Sequence, residues 1–320
     1  MLLSRVAECV YWTGRYLERA EAAARLVKVH TELYCDLPLS TGVGWSPLLL
    51  VTGSAEAFGD RAAREDDVVE FLAIDPANSS SILSSLQHAR QNLRITRDQF
   101  PQSAWEELNN LYLWASDHAH EAVDRRGRGR WTVEIIRRCQ LMSGLLADDM
   151  SHDDAHAFLQ IGRFVERADM TTRVLDVQAG ILFGSDGDGV QPYADVTWMS
   201  VLQTLSAHQM FQRAMRTGIS GPNALRFLLR DGQFPRSVEH CLTRVSQRLL
   251  ELPAYEEPMA GCAEVQRLLE DVDPATLGPA ELHDFVDVVQ RSIAGLHDLL
   301  VEAYFRVETP ASEETLALLA

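Results

Sequence analysis

The chain has 320 residues, of which 46% are hydrophobic and 23% are charged, the balance of a globular rather than a disordered protein. Its formal net charge of −17 would repel phosphate groups, which argues against binding to nucleic acids and to anionic membranes. The five cysteines are scattered, without a Cys-x-x-Cys pair, and charged residues interrupt the amino-terminal segment before a signal peptide could form. These features predict a cytoplasmic protein.

The first half of the chain is predicted to be helical. Apolar residues recur at helical spacing, and no stretch alternates as a strand would. We expect helices over residues 4–34, 55–72, 79–99, 103–124 and 131–150. Ser4 and the sequence Ser103-x-x-Glu106 are interpreted as amino-terminal caps, and residues 125–130 (RRGRGR) as a solvated basic loop.

The second half continues the helical pattern. Ser151-x-x-Asp154 is interpreted as a cap, and residues 184–189 (GSDGDG) as a flexible connection. The predicted helices cover residues 151–178, 196–217, 222–229, 236–251, 262–271 and 279–307.

Two ungapped matches relate the halves to each other. Residues 14–29 (GRYLERAEAAARLVKV) align with 162–177 (GRFVERADMTTRVLDV), and residues 71–82 align more weakly with 227–238. The two offsets, 148 and 156, differ only by loop length. The sequence therefore predicts an all-α helical bundle made of two tandem, related halves, residues 1–150 and 151–320, which pack around a pseudo-two-fold axis as one compact unit.

The repeated segment carries charges on a face that apolar residues bracket. A rotation of about 100° per residue places Glu18, Glu21 and Arg25 in one sector with Gly14, and the second copy repeats this pattern. We therefore expect the two helices to pack closely at their glycines and to share a partly buried ionic cluster. The candidate members are Arg15, Glu18, Arg19, Glu21, Arg25, Arg163, Glu166, Arg167, Asp169, Arg173 and, from a later segment, Arg236.

Two interpretations of this cluster stay open. It can be a set of salt bridges that holds helices together, which requires no ligand. It can also be a polar pocket, in which arginine forks bind a carboxylate or phosphate and Glu18 or Glu166 binds an amine or a metal. The sequence singles out no catalytic residue, and we predict no cofactor.

A metal site is a further alternative. Di-metal helical bundles use Glu-x-x-His sequences, and this chain has none. His152 and His156 are one helical turn apart and could bind a metal, although capping of a helix start also explains polar residues there.

Four segments resemble the alpha-E family of bacterial helical proteins, which is named for its Glu-Arg motif. They are LSRVAECVYWTGRYLERAEAAARL, NSSSILSSLQHARQNLRITRDQ, AFLQIGRFVERADMTTRVLDV and RDGQFPRSVEHCL. The chain departs from the family pattern at Ala22-Ala23, where Asn-Thr is usual, and at His156, where an aromatic residue is usual.

The resemblance implies a partnership with circularly permuted ATP-grasp ligases or transglutaminase-like proteins. The leading hypothesis is a non-catalytic partner that scaffolds an ATP-grasp ligase or holds its peptide or amino-acid substrate. The second is an enzyme in its own right, with Glu18 or Glu166 as general base and arginines that stabilise an anion. The third is a metal-binding helical bundle.

Overall fold

The structure is a computed structural model that describes residues 2–38, 43–183, 193–216 and 218–306, with the side chains of 178–183, 275 and 279 outside the description. Within these ranges every regular element is helical and no strand occurs, which confirms the all-α prediction. The helices are α1 (Ser4–Asp36), α2 (Ser46–Val51), α3 (Ala55–Phe58), α4 (Glu65–Ala73), α5 (Ile82–Ile95), α6 (Gln102–Asp117), α7 (Ala119–Val123), α8 (Arg128–Asp148), α9 (Asp154–Phe183), α10 (Ala194–Thr204), α11 (His208–Met215), α12 (Gly221–Arg230), α13 (Val238–Leu249), α14 (Glu256–Asp271) and α15 (Pro279–Leu300). The predicted connection at 184–189 lies outside the described residues.

Two long helices form the centre of the bundle. Helix α1 has 33 residues and α9 has 30, and they pack against each other. Helices α5, α8 and α10 cover α1, whereas α13 and α15 cover α9. A helix that is covered on several sides buries polar as well as apolar positions, so the polar residues of α1 and α9 must find partners inside the bundle.

Several predicted helices are interrupted. The predicted helix 55–72 divides into α3 and α4 after Gly59, whose φ of 71° lies in the left-handed region that favours glycine. The predicted helix 103–124 divides at His118, and 196–217 divides near Ser206, whose φ is 54°. Apolar periodicity continues across these breaks, which is why the sequence pattern did not reveal them.

Three of the predicted caps are wrong. Ser4 and Ser103 lie inside the first turns of α1 and α6, whose amino-terminal ends have no side-chain cap. Helix α9 begins later than expected, and the side chain of Asp153, rather than Ser151, accepts hydrogen bonds from its first-turn amides.

The basic segment 125–130 is only partly a solvated loop. Helix α8 begins at Arg128, whose side chain is fully buried and ion-paired with Glu65 at 2.7 Å. It also donates hydrogen bonds to the carbonyl oxygens of Ala122 and Val123. Arg128 is therefore a structural residue, and only the arginines around it remain exposed.

The two weakly matched segments adopt the same turn. The carboxylates of Asp75 and Asp231 each accept a hydrogen bond from the backbone amide two residues ahead. Ser81 and Ser237 each cap the next helix by accepting from the amide three residues ahead. In both segments, therefore, a helix ends, an aspartate turns the chain, and a serine starts α5 or α13.

No helix in the described part of the chain is long and apolar enough to cross a membrane.

A buried histidine predicts acid sensitivity of the fold. The ring of His30 lies 2.9 Å from the carbonyl oxygen of Gly44 and packs against Trp45, and burial lowers its pKa from 6.5 to about 4. Between these two pH values the unfolded chain binds a proton at His30 that the folded chain does not bind. The contribution of neutral His30 to the free energy of unfolding is therefore complete above pH 6.5 and is lost as the pH falls toward 4. We expect the melting temperature of the wild-type protein to fall more steeply over this range than that of His30→Gln.

Circular dichroism melts at several pH values would measure both slopes. His283→Gln is the control with the opposite sign, because hydrogen bonding to Asp176 raises the pKa of His283. Replacing His283 should make the melting temperature fall slightly more steeply as the pH is lowered. Identical slopes for wild type and His30→Gln would contradict the assignment.

Candidate functional site

The two motif glycines bring α1 and α9 into backbone contact. A methyl group on Gly14 would overlap the carbonyl oxygen of Leu159, and one on Gly162 would overlap that of Tyr11. Each glycine thus faces the residue three positions before the other glycine. This reciprocal contact sets the distance between the helices and aligns their charged side chains.

Glu18 of α1 is held by three arginines of the second half. Arg167 binds it with two hydrogen bonds of 2.8 and 2.6 Å, Arg236 with one of 2.7 Å, and Arg163 with one of 3.2 Å. Four donors fill the usual acceptor positions of a carboxylate.

Glu166 of α9 is held in the same way by the first half. Arg19 binds it with two hydrogen bonds of 2.5 and 3.0 Å, and Arg15 binds it with one of 2.7 Å. A second nitrogen of Arg15 lies 3.4 Å from the hydroxyl of Tyr11, which in turn lies 2.9 Å from a ring nitrogen of His297. Each central carboxylate is therefore neutralised by arginines from the opposite half of the chain.

These carboxylates remain ionised at any physiological pH. The side chain of Glu18 is 1% exposed and that of Glu166 is 2% exposed. Burial alone would raise the pKa of both groups, but the arginines outweigh it: they hold the pKa of Glu18 well below its usual range and that of Glu166 at about 2. Carboxylates of such low pKa are poor general bases near neutrality.

The outer members of the cluster extend it in both directions. One oxygen of Glu21 accepts from two nitrogens of Arg25 and from Arg236 at 2.8 Å. Asp169 pairs with Arg173 at 2.9 Å, and burial raises the pKa of Asp169. The eleven residues predicted from the sequence thus fall into three ion-paired groups, around Glu18, around Glu166 and between Asp169 and Arg173. The prediction that the two motif helices pack against each other is confirmed.

Positive charge is in excess in this cluster. Its eleven members are seven arginines and four carboxylates, whereas the whole chain carries a net charge of −17. The surplus reaches the edges, where the side chains of Arg19, Arg163 and Arg173 are 21%, 24% and 35% exposed. An anion is therefore the ligand that this arrangement favours, and a cation is disfavoured.

The cluster encloses no substrate-sized cavity in the described structure. A cavity of about 20 Å³ lies beside Glu21, Arg163, Gln160 and Ser143, which is room for one water molecule. Among the residues that the structure describes, Arg163 donates only through Nε, so its terminal nitrogens remain available there. A larger ligand must approach from the outer edge of the cluster.

The histidines of the proposed metal alternative do not converge. The rings of His152 and His156 stack 4.1 Å apart, and their Nε2 atoms face the carbonyl oxygen of Ala147 and the side chain of Gln160. Across the described residues, no group of three or more His, Cys, Asp and Glu side chains is arranged to hold a metal ion. The donor set therefore does not fit a metal centre.

The halves differ at one contact of the cluster. Arg236, which reaches both Glu18 and Glu21, follows the second aspartate turn, and the aligned position in the first half is Ser80. Glu166 consequently has two arginine partners where Glu18 has three.

Comparisons with known proteins place this chain in a family. The chain is 25% identical over 290 residues to an uncharacterized protein of Mycobacterium bovis and to uncharacterized proteins of two strains of Mycobacterium tuberculosis. The matched region covers 84% of this chain and 32% of each relative, so the chain spans about a third of the length of these relatives. No solved structure has significant similarity to it. The model of the alpha-E family, described as a predicted alpha-helical domain with a conserved ER motif, matches residues 2–305, and the chain therefore belongs to the alpha-E family.

Proposed function

We propose that this chain is a non-catalytic partner of an ATP-grasp-type ligase that forms peptide or amide bonds, and that it holds the ligase's peptide or amino-acid substrate. The observation that carries the proposal is the state of the cluster: each central carboxylate is ion-paired with at least two arginines, while arginines remain in excess at the edge of the cluster. Such a cluster stabilises the fold and attracts an anion, but it offers no free acid or base.

The enzyme alternative has less support. Glu18 or Glu166 would have to leave its arginines before it could accept a proton, and that exchange strands buried charges. The buried thiols are equally unsuited to chemistry, because burial raises the pKa of Cys241 and Cys262 to about 12 and that of Cys139 well above its usual value.

The relatives are consistent with a partnership. Since the chain spans about a third of their length, the region of those proteins that matches it is joined to other segments. An ATP-grasp ligase or a transglutaminase-like protein is the partner that the family resemblance implies. The need for ATP places the proposed assembly in the cytoplasm.

We also propose that the halves, residues 1–150 and 151–320, arose by duplication. The reciprocal glycine contacts and the matching aspartate–serine turns support a pseudo-two-fold relation between them. In that relation each half supplies the arginines that neutralise the other half's glutamate.

The proposal predicts that the purified chain hydrolyses no ATP by itself. Mixed with the ATP-grasp protein of the same genome and a peptide substrate, it should raise the rate of ADP release or lower the KM for the peptide. A coupled assay of ADP release, with each protein alone and with both together, measures this directly.

Steady ADP release by the single chain would contradict the proposal if Glu166→Gln abolished it in a protein that circular dichroism shows to be folded. Glu264→Gln, a change at an exposed position, is the control that should leave any activity unchanged. That pattern would favour the enzyme alternative.

A further inference from the structure

An open groove runs across the face formed by α1, α8, α10 and α11. Its central part has a volume of about 610 Å³, within the range of ligand sites. Two further depressions, of about 450 and 470 Å³, adjoin it at the lining residues Gln203 and Arg137, respectively. We call this feature the α1–α8–α11 groove.

The centre of the groove presents cationic side chains on an acidic protein. Arg25, Lys28 and Arg137 line it, with Glu32 as the one acidic lining residue of this central part. Each cation is paired with a carboxylate, but Nη1 of Arg25 and of Arg137 makes no hydrogen bond in the described structure. These donors remain available to a second carboxylate.

Neutral polar groups in the same groove also have unused hydrogen-bonding capacity. The side chains of Gln140, Gln203 and Gln209 are exposed and make no hydrogen bond to the rest of the described chain. The Nε2 atom of His208 is buried without a partner in that same part. A carboxamide both donates and accepts, so these glutamines suit the alternating N–H and C=O groups of an extended backbone.

Apolar side chains complete the lining. Val133 and Met210 belong to the exposed large hydrophobic residues of the chain, with 47% and 43% of their surfaces accessible. A ligand that covered them would gain apolar burial next to charge pairing. The matching occupant is amphipathic, with acidic and apolar side chains.

We propose that the α1–α8–α11 groove binds an extended peptide that carries carboxylate side chains. Arg25 connects this site with the Glu/Arg cluster, since it lines the groove and pairs with Glu21. The inference rests on the proposed substrate-holding function, and it assigns that role to the outer cations and glutamines instead of the buried glutamates.

Fluorescence anisotropy with the whole chain tests the proposal without any ligase. The probe is a fluorescein-labelled peptide of alternating glutamate and valine, compared with peptides in which lysine or glutamine replaces glutamate. The acidic peptide should bind saturably and the lysine peptide should not. Arg137→Gln and Lys28→Gln should each weaken binding about fivefold, the change expected from the loss of one partly exposed charge contact. Adding Gln203→Ala to either variant should weaken binding further.

Arg291→Gln is the matched control. Arg291 is as exposed as Arg137 and is also paired within one turn of its own helix, but it lies on α15, outside the groove. Absence of binding, equal binding of the lysine peptide, or equal weakening by Arg291→Gln would overturn the proposal. Complete displacement of the probe by inorganic phosphate at millimolar concentration would show that the groove is a general anion site. That result would also overturn the proposal.

The two proposals fail separately. Peptide binding without stimulation of the ligase would refute the proposed function and leave the groove, whereas stimulation without peptide binding would refute only the groove.

Discussion

Replacing Arg167 by alanine should lower the free energy of unfolding by about 3–5 kcal/mol, the usual effect of breaking one side of a buried ion pair. The side chain of Arg167 is 6% exposed, and it donates two hydrogen bonds to Glu18, of 2.8 and 2.6 Å. Its loss leaves a fully buried carboxylate with fewer hydrogen-bond donors. Urea unfolding followed by circular dichroism measures the change.

Arg126→Ala is the control for this prediction. Arg126 is exposed, its side chain makes no ion pair in the described structure, and its loss should cost well under about 1 kcal/mol. Equal unfolding midpoints for the two variants would mean that the cluster is open to solvent and contributes little.

Gly14→Ala should destabilise the protein by about 3 kcal/mol or more, at the upper end of the range for overpacked cores. The new methyl group would overlap the carbonyl oxygen of Leu159 and also approach the amide nitrogen of Arg163, and both atoms belong to a helical backbone that cannot rotate away. The helices must then separate, which stretches the ion pairs aligned by this contact. Thermal unfolding measures the loss.

Gly144→Ala provides the control within a helix. Gly144 lies in α8, where an added methyl group meets no atom within 4 Å. Because alanine is a better helix former, this variant should gain up to about 1 kcal/mol. If Gly14→Ala were as stable as Gly144→Ala, the close approach of α1 and α9 would be wrong.

The sequence predicted the centre of the molecule well for a physical reason. Charged residues such as Glu18 and Glu166 recur with helical periodicity between apolar residues, so burying the apolar positions also buries the charges. A glycine one turn before each glutamate indicated a close backbone approach, and both glycines make one. Opposite charges that are buried together must pair, so the ion pairs between α1 and α9 followed from the repeated helix pattern, whereas Arg236 came from a separate segment.

The groove could not be predicted in this way. Its walls come from α1, α8, α10 and α11, which are far apart in the chain, and no local pattern records which solvent-facing positions meet across space. The break at Ser206, which turns α11 toward the groove, lies within continuous apolar periodicity. Isolated glutamines and a lone histidine such as His208 also carry no spacing signal.

The start of α8 shows a similar limit. The composition of residues 125–130, which is rich in arginine, predicts side chains that are exposed to solvent. Arg128 is nevertheless fully buried, because Glu65 and two carbonyl groups satisfy its hydrogen-bond donors. Tertiary partners decide the burial of a charge, and the sequence does not display them.

The most direct test of the account is a double-mutant cycle between Glu18 and Arg167, measured by urea unfolding of the wild type, Glu18→Gln, Arg167→Ala and the double variant. The central claim is that pairs between the halves hold α1 against α9. It predicts that the decrease in the free energy of unfolding of the double variant is smaller, by at least about 2 kcal/mol, than the sum of the decreases of the two single variants. This is the scale of coupling expected for residues in one ion-pair network. Additive losses, equal to that sum within about 0.5 kcal/mol, would show that the two residues act independently and would contradict the claim.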